Sequence, residues 1–232
     1  ALQRLEGRLA AVVMEPMRSE LPKSDFLQQV IAGCHAAGAV FVLDEVTSGW
    51  RFGFPGAAGK LGIVPDIAVY AKAMSNGYPA AAIVGQTEIM NAADASFISS
   101  SYWTDGVGAA ASLACICKMK REPVQQHVWK LGGHLQRGLK QVAARHPVLD
   151  ANVTGMPCAP ALAFGKPAAK SLMIRHMLAR GFMVSGQLYL TWMHDASMVE
   201  SLLDALDEAC GLIENEPLED AAATNSGFAR LV

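Results

Sequence analysis

Three residues stand where chemistry could be done: Asp44, Glu45 and Lys72. The apolar run Val40-Phe41-Val42-Leu43 stops abruptly at the two acids. That pattern reads as a buried strand whose C-terminal end hands a carboxylate to a cleft. A second run, Ile67–Tyr70, follows Pro65-Asp66 and ends at Ala71-Lys72-Ala73, with Asn76-Gly77 and Pro79 closing the loop. In an open α/β sheet the carboxyl ends of the strands converge on one crevice. A carboxylate and a lysine sharing a dry crevice suit pyridoxal phosphate, which needs a lysine for its Schiff base and an acid to keep its ring nitrogen protonated. Spacing alone does not establish that chemistry. Acid and lysine at strand ends are common in α/β proteins, and a solvated surface position is the ordinary fate of lysine.

The elements that would position these residues follow from periodicity. Ala10–Met14 reads as a buried strand ended by Glu15-Pro16. From Asp25 to Ala37 the residues Phe26, Leu27, Val30, Ile31 and Cys34 fall at helical spacing, with Ser24 as N-cap and Gly38 as the stop. Strand, helix and strand make a βαβ unit that Ile67–Tyr70 extends. Ala80–Val84 adds a short strand, close enough behind the Gly77-Tyr78-Pro79 turn to be an antiparallel neighbour. A polar-aromatic loop, Ser99 to Thr104, leads into a helix over Gly108–Lys120. A longer helix over 123–145 shows a stripe at Val124, Val128, Leu131, Leu135, Leu139 and Val142. Beyond it the pattern predicts a strand near Ala161–Phe164, a helix over Ala168–Arg180, and short strands at Phe182–Val184 and Gln187–Thr191. A capping box at Ser197–Glu200 opens a last helix to about Glu214. Residues 215–232 show no periodicity.

The composition suits an ordinary α/β protein. Of 232 residues, 52% are hydrophobic and 17% charged, and the net charge of −2 advertises neither nucleic acid nor an anionic membrane as partner. Runs such as Ala36–Leu43 and Gly108–Cys117 fall short of the ~18 residues that a membrane span requires. Five scattered cysteines, an odd number, read as reduced thiols and a cytoplasmic location. Cys115 and Cys117 have no matching pair of ligands elsewhere, so no metal site is expected.

The wording of the chain adds to its spacing. Leu43-Asp44-Glu45-Val46-Thr47-Ser48-Gly49, then Pro65-Asp66-Ile67, then Ala71-Lys72-Ala73-Met74-Ser75-Asn76-Gly77-Tyr78-Pro79 closely resemble the class III (omega-type) aminotransferases of the pyridoxal-phosphate superfamily. Within that class the chain is most similar to the branch grouped with glutamate-1-semialdehyde aminomutase. The resemblance implies an α/β fold of the fold-type-I pyridoxal-phosphate-dependent transferases: part of a large-domain sheet with helices, plus a small C-terminal α+β domain. Residues 1–122 would belong to the large domain, 123–145 to a connecting helix, 146–214 to the small domain and 215–232 to a loose tail. In the family the Ala-Ala-Val strand ending in Glu-Pro comes midway through the large domain, so the chain is expected to be the C-terminal half of a longer enzyme. The family's glycine-rich phosphate loop and ring-stacking aromatic residue would lie upstream.

Carried over residue by residue, the resemblance makes Lys72 the Schiff-base lysine and Asp44 the partner of the pyridinium nitrogen. Val46, two residues beyond Asp44 and pointing the same way if extended, would pack on one ring face. Glu45 would point the other way and be structural. Ser101, with Thr104 as the alternative, would hold the cofactor phosphate from across a homodimer interface. Glu15 and Arg51 are candidates for the substrate side, Arg51 as a carboxylate binder, although an ion-paired or solvated arginine is the plainer reading. His194 has no acid–base partner in view and reads as a packed histidine. The implied activity is transamination between a small-molecule amino donor and a carbonyl acceptor. Intramolecular amino transfer, as in the aminomutase, uses the same parts; the segment Ser75–Pro79 departs from the glycine-rich version associated with that enzyme. A non-catalytic half-chain is the rival from another class.

Overall fold

A computed structural model describes residues 2–5 and 7–217, in two compact units, Ala1–Gln125 and Gln126–Val232. In the first unit β1 (Ala11–Met14) leads through α1 (Phe26–Ala36) to β2 (Val40–Asp44), and β3 (Ile67–Tyr70) follows α2 (Ala57–Leu61). These three strands are parallel and adjacent. The fourth, β4 (Ala82–Gly85), runs antiparallel against β3, as the short turn before it requires. Two further helices, α3 (Thr87–Met90) and α4 (Gly106–Arg121), complete the unit before the chain enters α5 (Val124–Arg145).

Its core is the face of the sheet under α1. Phe41 and Leu43 are fully buried there with Leu27, Cys34, Ala39 and Ile63, and Val30 and Ile31 pack against them. Phe26, expected in the stripe, is 44% exposed instead. The cap also differs. Asp25 takes the N-cap position in place of Ser24 and makes no side-chain capping bond. One buried acid ties the layers: Asp66 accepts the Phe41 N–H at 2.7 Å, the Gln86 side-chain amide at 2.9 Å, and faces His35 Nε2 at 3.0 Å. Sheets of this kind are usually covered on both faces. Here apolar residues elsewhere on the sheet stay open, with Val13, Ile83 and Val84 at 65%, 57% and 50% exposure.

In the second unit the α5 stripe is buried at every expected position from Val128 to Val142. The hairpin of β5 (Ala151–Met156) and β6 (Ala159–Phe164), α6 (Pro167–Ala179) and α7 (Ala196–Ile213) complete it. Strand β5 was not expected, because Asn152, Thr154 and Gly155 blur its alternation. The predicted strand at Phe182–Val184 is irregular chain, and 187–191 contributes one isolated bridge, Gln187 to Ala161. Around that bridge the Leu162 N–H donates to the Gly186 carbonyl at 2.7 Å and the Leu188 N–H to the Pro160 carbonyl at 2.9 Å, so this stretch meets β6 only briefly. The last helix is capped by Asp195, whose carboxylate accepts the Met198 N–H at 2.9 Å and the Ser197 hydroxyl at 2.7 Å; Ser197 lies inside the helix rather than at its cap. Among the described residues no helix is long and apolar enough to cross a membrane.

Candidate active site

The site is built where β2 and β3 end side by side. Asp44 closes β2 and is the register partner of Val69, so the chain from Tyr70 to Lys72 leaves the sheet beside it. Asp44 is half-buried, and its Oδ1 accepts the Val46 N–H at 2.9 Å. That bond turns the backbone. Val46 therefore lies in a turn, not on an extended strand, and the expectation that strand alternation aligns it with Asp44 fails for that reason. No cation pairs with Asp44 among the described residues.

Its neighbour Glu45 has another occupation. Its side chain is fully buried, with Oε2 accepting the Ser48 hydroxyl at 2.5 Å and the Ala57 N–H at 2.9 Å, and Oε1 accepting the Ala58 N–H at 2.9 Å. The carboxylate thus satisfies two otherwise orphaned donors at the start of α2, where a negative charge is favoured. Gly56 makes room for it, since a Cβ there would collide with Oε1. Burial, and then the Glu45 charge, push the Tyr70 phenol above its usual range.

Lys72 opens a short 3₁₀ turn, Lys72–Met74, with φ of 51°. A non-glycine residue in the left-handed region carries backbone strain that tertiary structure must hold. The turn is held partly by Ser75, fully buried, whose hydroxyl donates to the Tyr78 carbonyl at 2.5 Å. The Lys72 side chain is exposed and its Nζ donates to Thr47 Oγ1 at 2.9 Å. No carboxylate pairs with it among the described residues. Thr47 escaped the sequence reading. A hydroxyl in a turn gives no periodic signal, and its partner depends on how the turn is folded.

The remaining candidates scatter. Arg51 Nη1 donates to the Thr47 carbonyl at 2.8 Å, so it supports its own loop. Beside it Trp50, at 7% exposure and φ of 65°, packs against the Tyr70 and Phe54 rings. Glu15 pairs with Arg18 at 2.9 Å. Ser101 and Thr104 are exposed ahead of α4, and no hydrogen bond joins either to Lys72 or Asp44 among the described residues. Asp105, not Thr104, caps α4, accepting the Val107 N–H at 3.0 Å. His194 Nδ1 accepts the Thr191 N–H at 3.0 Å and its carbonyl accepts from His127 Nε2 at 2.8 Å, a structural role.

The chain belongs to the class-III aminotransferase family, whose model matches residues 1–200, and its α/β architecture is that of the fold-type-I transferases. It is 27% identical over 222 residues to the aminopentol aminotransferase of Sphingopyxis macrogoltabida, covering 90% of this chain and 52% of that protein. To the glutamate-1-semialdehyde 2,1-aminomutase of Pyrobaculum neutrophilum it is 29% identical over 152 residues, covering 62% of this chain and 36% of the other. Among solved structures, the FumI protein of Sphingopyxis sp. MTA144 superposes with a TM-score of 0.86 at 25% identity, covering 96% of this chain and 56% of that one. The chain therefore spans about half, or less, of the length of the proteins it matches. The cofactor of the family is pyridoxal 5'-phosphate, and FumI was solved in its PLP internal aldimine form.

The residues present fit that cofactor. Asp44 is a half-buried carboxylate with no cation beside it among the described residues, so it is open to pair with a protonated ring nitrogen. The Lys72 amine meets a neutral hydroxyl and no acid among the described residues, so it is open to form the covalent tie.

Proposed function

We propose that this chain carries the lysine-and-acid part of a pyridoxal-phosphate-dependent class III aminotransferase, which moves an amino group from a small-molecule donor to a carbonyl acceptor. The observation that carries the reading is the placement of Asp44 and Lys72 at adjacent parallel strand ends, neither matched by an opposite charge among the described residues. Lys72 would form the covalent tie to the cofactor and, once released, hold and return the proton at the substrate's reacting carbon. Asp44 would keep the proton on the ring nitrogen, and Val46 would lie against one ring face. Bound there, the cofactor supplies an electron sink for that carbon.

In our reading residues 1–122 form the later part of the large domain, 123–145 the connecting helix and 146–214 the small domain. The chain is the C-terminal half of a cytoplasmic enzyme that acts as a homodimer, with Ser101 or Thr104 of one protomer reaching the phosphate held by its partner. Similarity to proteins roughly twice as long supports the part of this reading that makes the chain a portion of a longer enzyme. Glu15 and Arg51 are assigned to the substrate side by the resemblance, Arg51 as a carboxylate binder, while here Glu15 pairs with Arg18 and Arg51 holds the Thr47 carbonyl. Intramolecular amino transfer is the second reading, favoured by the match to the Pyrobaculum aminomutase.

The test uses the full-length protein. Borohydride reduction in the presence of cofactor should fix its mass on the peptide containing Lys72, and Lys72→Ala should abolish transfer while retaining cofactor noncovalently. Labelling of a different lysine would sink the assignment. Turnover without any external amino donor would favour the aminomutase.

A further inference from the structure

We infer that Thr47 is a positioning residue for Lys72, its hydroxyl fixing the direction of the lysine amine while leaving that amine free to be charged or neutral. The inference rests on the reading that Lys72 carries the cofactor. Its basis is the 2.9 Å bond from Lys72 Nζ to Thr47 Oγ1, the one hydrogen bond of this side chain among the described residues.

Both ends of that bond are anchored. At the lysine end the backbone is held in the left-handed region at φ of 51° by a turn closed through Ser75 and Tyr78. At the threonine end the carbonyl is gripped by Arg51 Nη1 at 2.8 Å. The same loop is stitched by Gly49 N–H to the Glu45 carbonyl at 2.7 Å and Phe52 N–H to the Ser48 carbonyl at 2.8 Å. Beneath it the buried Glu45 fastens Ser48 to the start of α2. Threonine's branched Cβ restricts its rotamers further. Arg51 thus acts on Lys72 through Thr47 and needs no substrate contact to matter.

The choice of a hydroxyl has chemical content. Its oxygen accepts from an ammonium and its proton can be donated to a neutral amine, so it serves both protonation states. A carboxylate in the same place would favour the ammonium and raise the lysine's pKa. An amine that must attack as a neutral nucleophile and then carry a proton is best served by the neutral partner.

The experiment reads Lys72 directly, in full-length protein without cofactor, as the pH dependence of its acylation by acetic anhydride, quantified by peptide mass spectrometry. Thr47→Val keeps the shape and releases the amine, and its labelling at neutral pH should rise by roughly threefold to tenfold, the range of one neutral hydrogen bond. Thr47→Ser should restore the wild-type profile. Thr47→Asp should move the labelling midpoint to higher pH. A valine profile identical to wild type, with borohydride still fixing cofactor on Lys72, would overturn the role of Thr47 alone. Cofactor fixed on another lysine would overturn both readings. If the valine variant fails to fold, the aspartate variant decides: an unmoved midpoint overturns the inference.

Discussion

Asp44 and Val69 are register partners across two parallel strands, so the carboxylate and the chain leading to Lys72 leave the sheet at the same level and in the same direction. Among the described residues only the Asp44 Oδ1–Val46 N–H bond occupies the carboxylate. Asp44→Asn preserves an acceptor for that bond and removes the charge. The variant of the full-length enzyme should keep its melting temperature and most of its cofactor affinity, yet lose several powers of ten in half-reaction rate. Single-turnover absorbance measurements check this; wild-type rates would show that the acid has another task.

Glu45 should behave in the opposite way. Replacing it with Gln puts an amide where two backbone N–H groups and a hydroxyl now find oxygen. Leaving a buried donor without an acceptor costs roughly 1–3 kcal/mol. Denaturant titration should show the loss in midpoint with the slope unchanged. Gly56→Ala should destabilise by a comparable route, because Glu45 cannot yield to a new methyl group without giving up those bonds.

The second unit contains an acid-sensitive contact. Asp207 Oδ1 meets Arg145 Nε at 2.8 Å and His146 Nε2 at 3.1 Å. Burial pushes this carboxyl up, but the hydrogen bonds and charges of Arg145 and His146 outweigh it and hold it below its ordinary value. A carboxylate lowered on folding stabilises the fold above its unfolded pKa and loses that contribution as pH falls through the folded one. The loss should therefore begin near about pH 4, the unperturbed carboxylate range, and continue below it. Asp207→Asn should flatten this part of the stability profile, measured by thermal melts from neutral to acid pH.

The open face of the sheet makes a prediction about residues 1–232 produced alone. Val13 and Ile83, on the face away from α1, and Val84, on the other face, present exposed apolar surface on β1 and β4. Exposed apolar surface on edge strands promotes association. Light scattering should find self-association, and Val13→Lys with Ile83→Lys should reduce it. A monodisperse preparation would contradict this expectation.

The placement of Asp44 and Lys72 was legible because apolar strands that stop at charged residues give a strong local signal. So was the α5 stripe, where 22 helical residues repeat one pattern. Strand β5 was hidden by Gly155 and by polar residues that a two-stranded hairpin tolerates. The cap of α7 was misplaced by two residues, since Asp195 and Ser197 are both good caps and only the chain's entry angle chooses between them. The structural part played by Glu45, turned away from Asp44, was legible from strand alternation, whereas Thr47 was hidden. Its bond to Lys72 depends on where a tight turn directs a side chain, and turns erase the alternation that predicts direction.

The staple at Glu45 has a consequence for how such a protein can change. One side chain joins the last residue of the strand level to Ala57 and Ala58, closing residues 46–56 into a ring whose two ends are fixed beside each other. The stretch near Phe54 and Pro55 lies at the exposed outer rim of that ring. That rim is tied inward to Trp50, whose N–H donates to the Pro55 carbonyl at 2.9 Å and whose ring meets Phe54. The ring is thus closed twice, by the acid at its base and by Trp50 across its middle. A change at Phe54 or Pro55 is felt first at Trp50, while the base keeps its own fastening through Glu45.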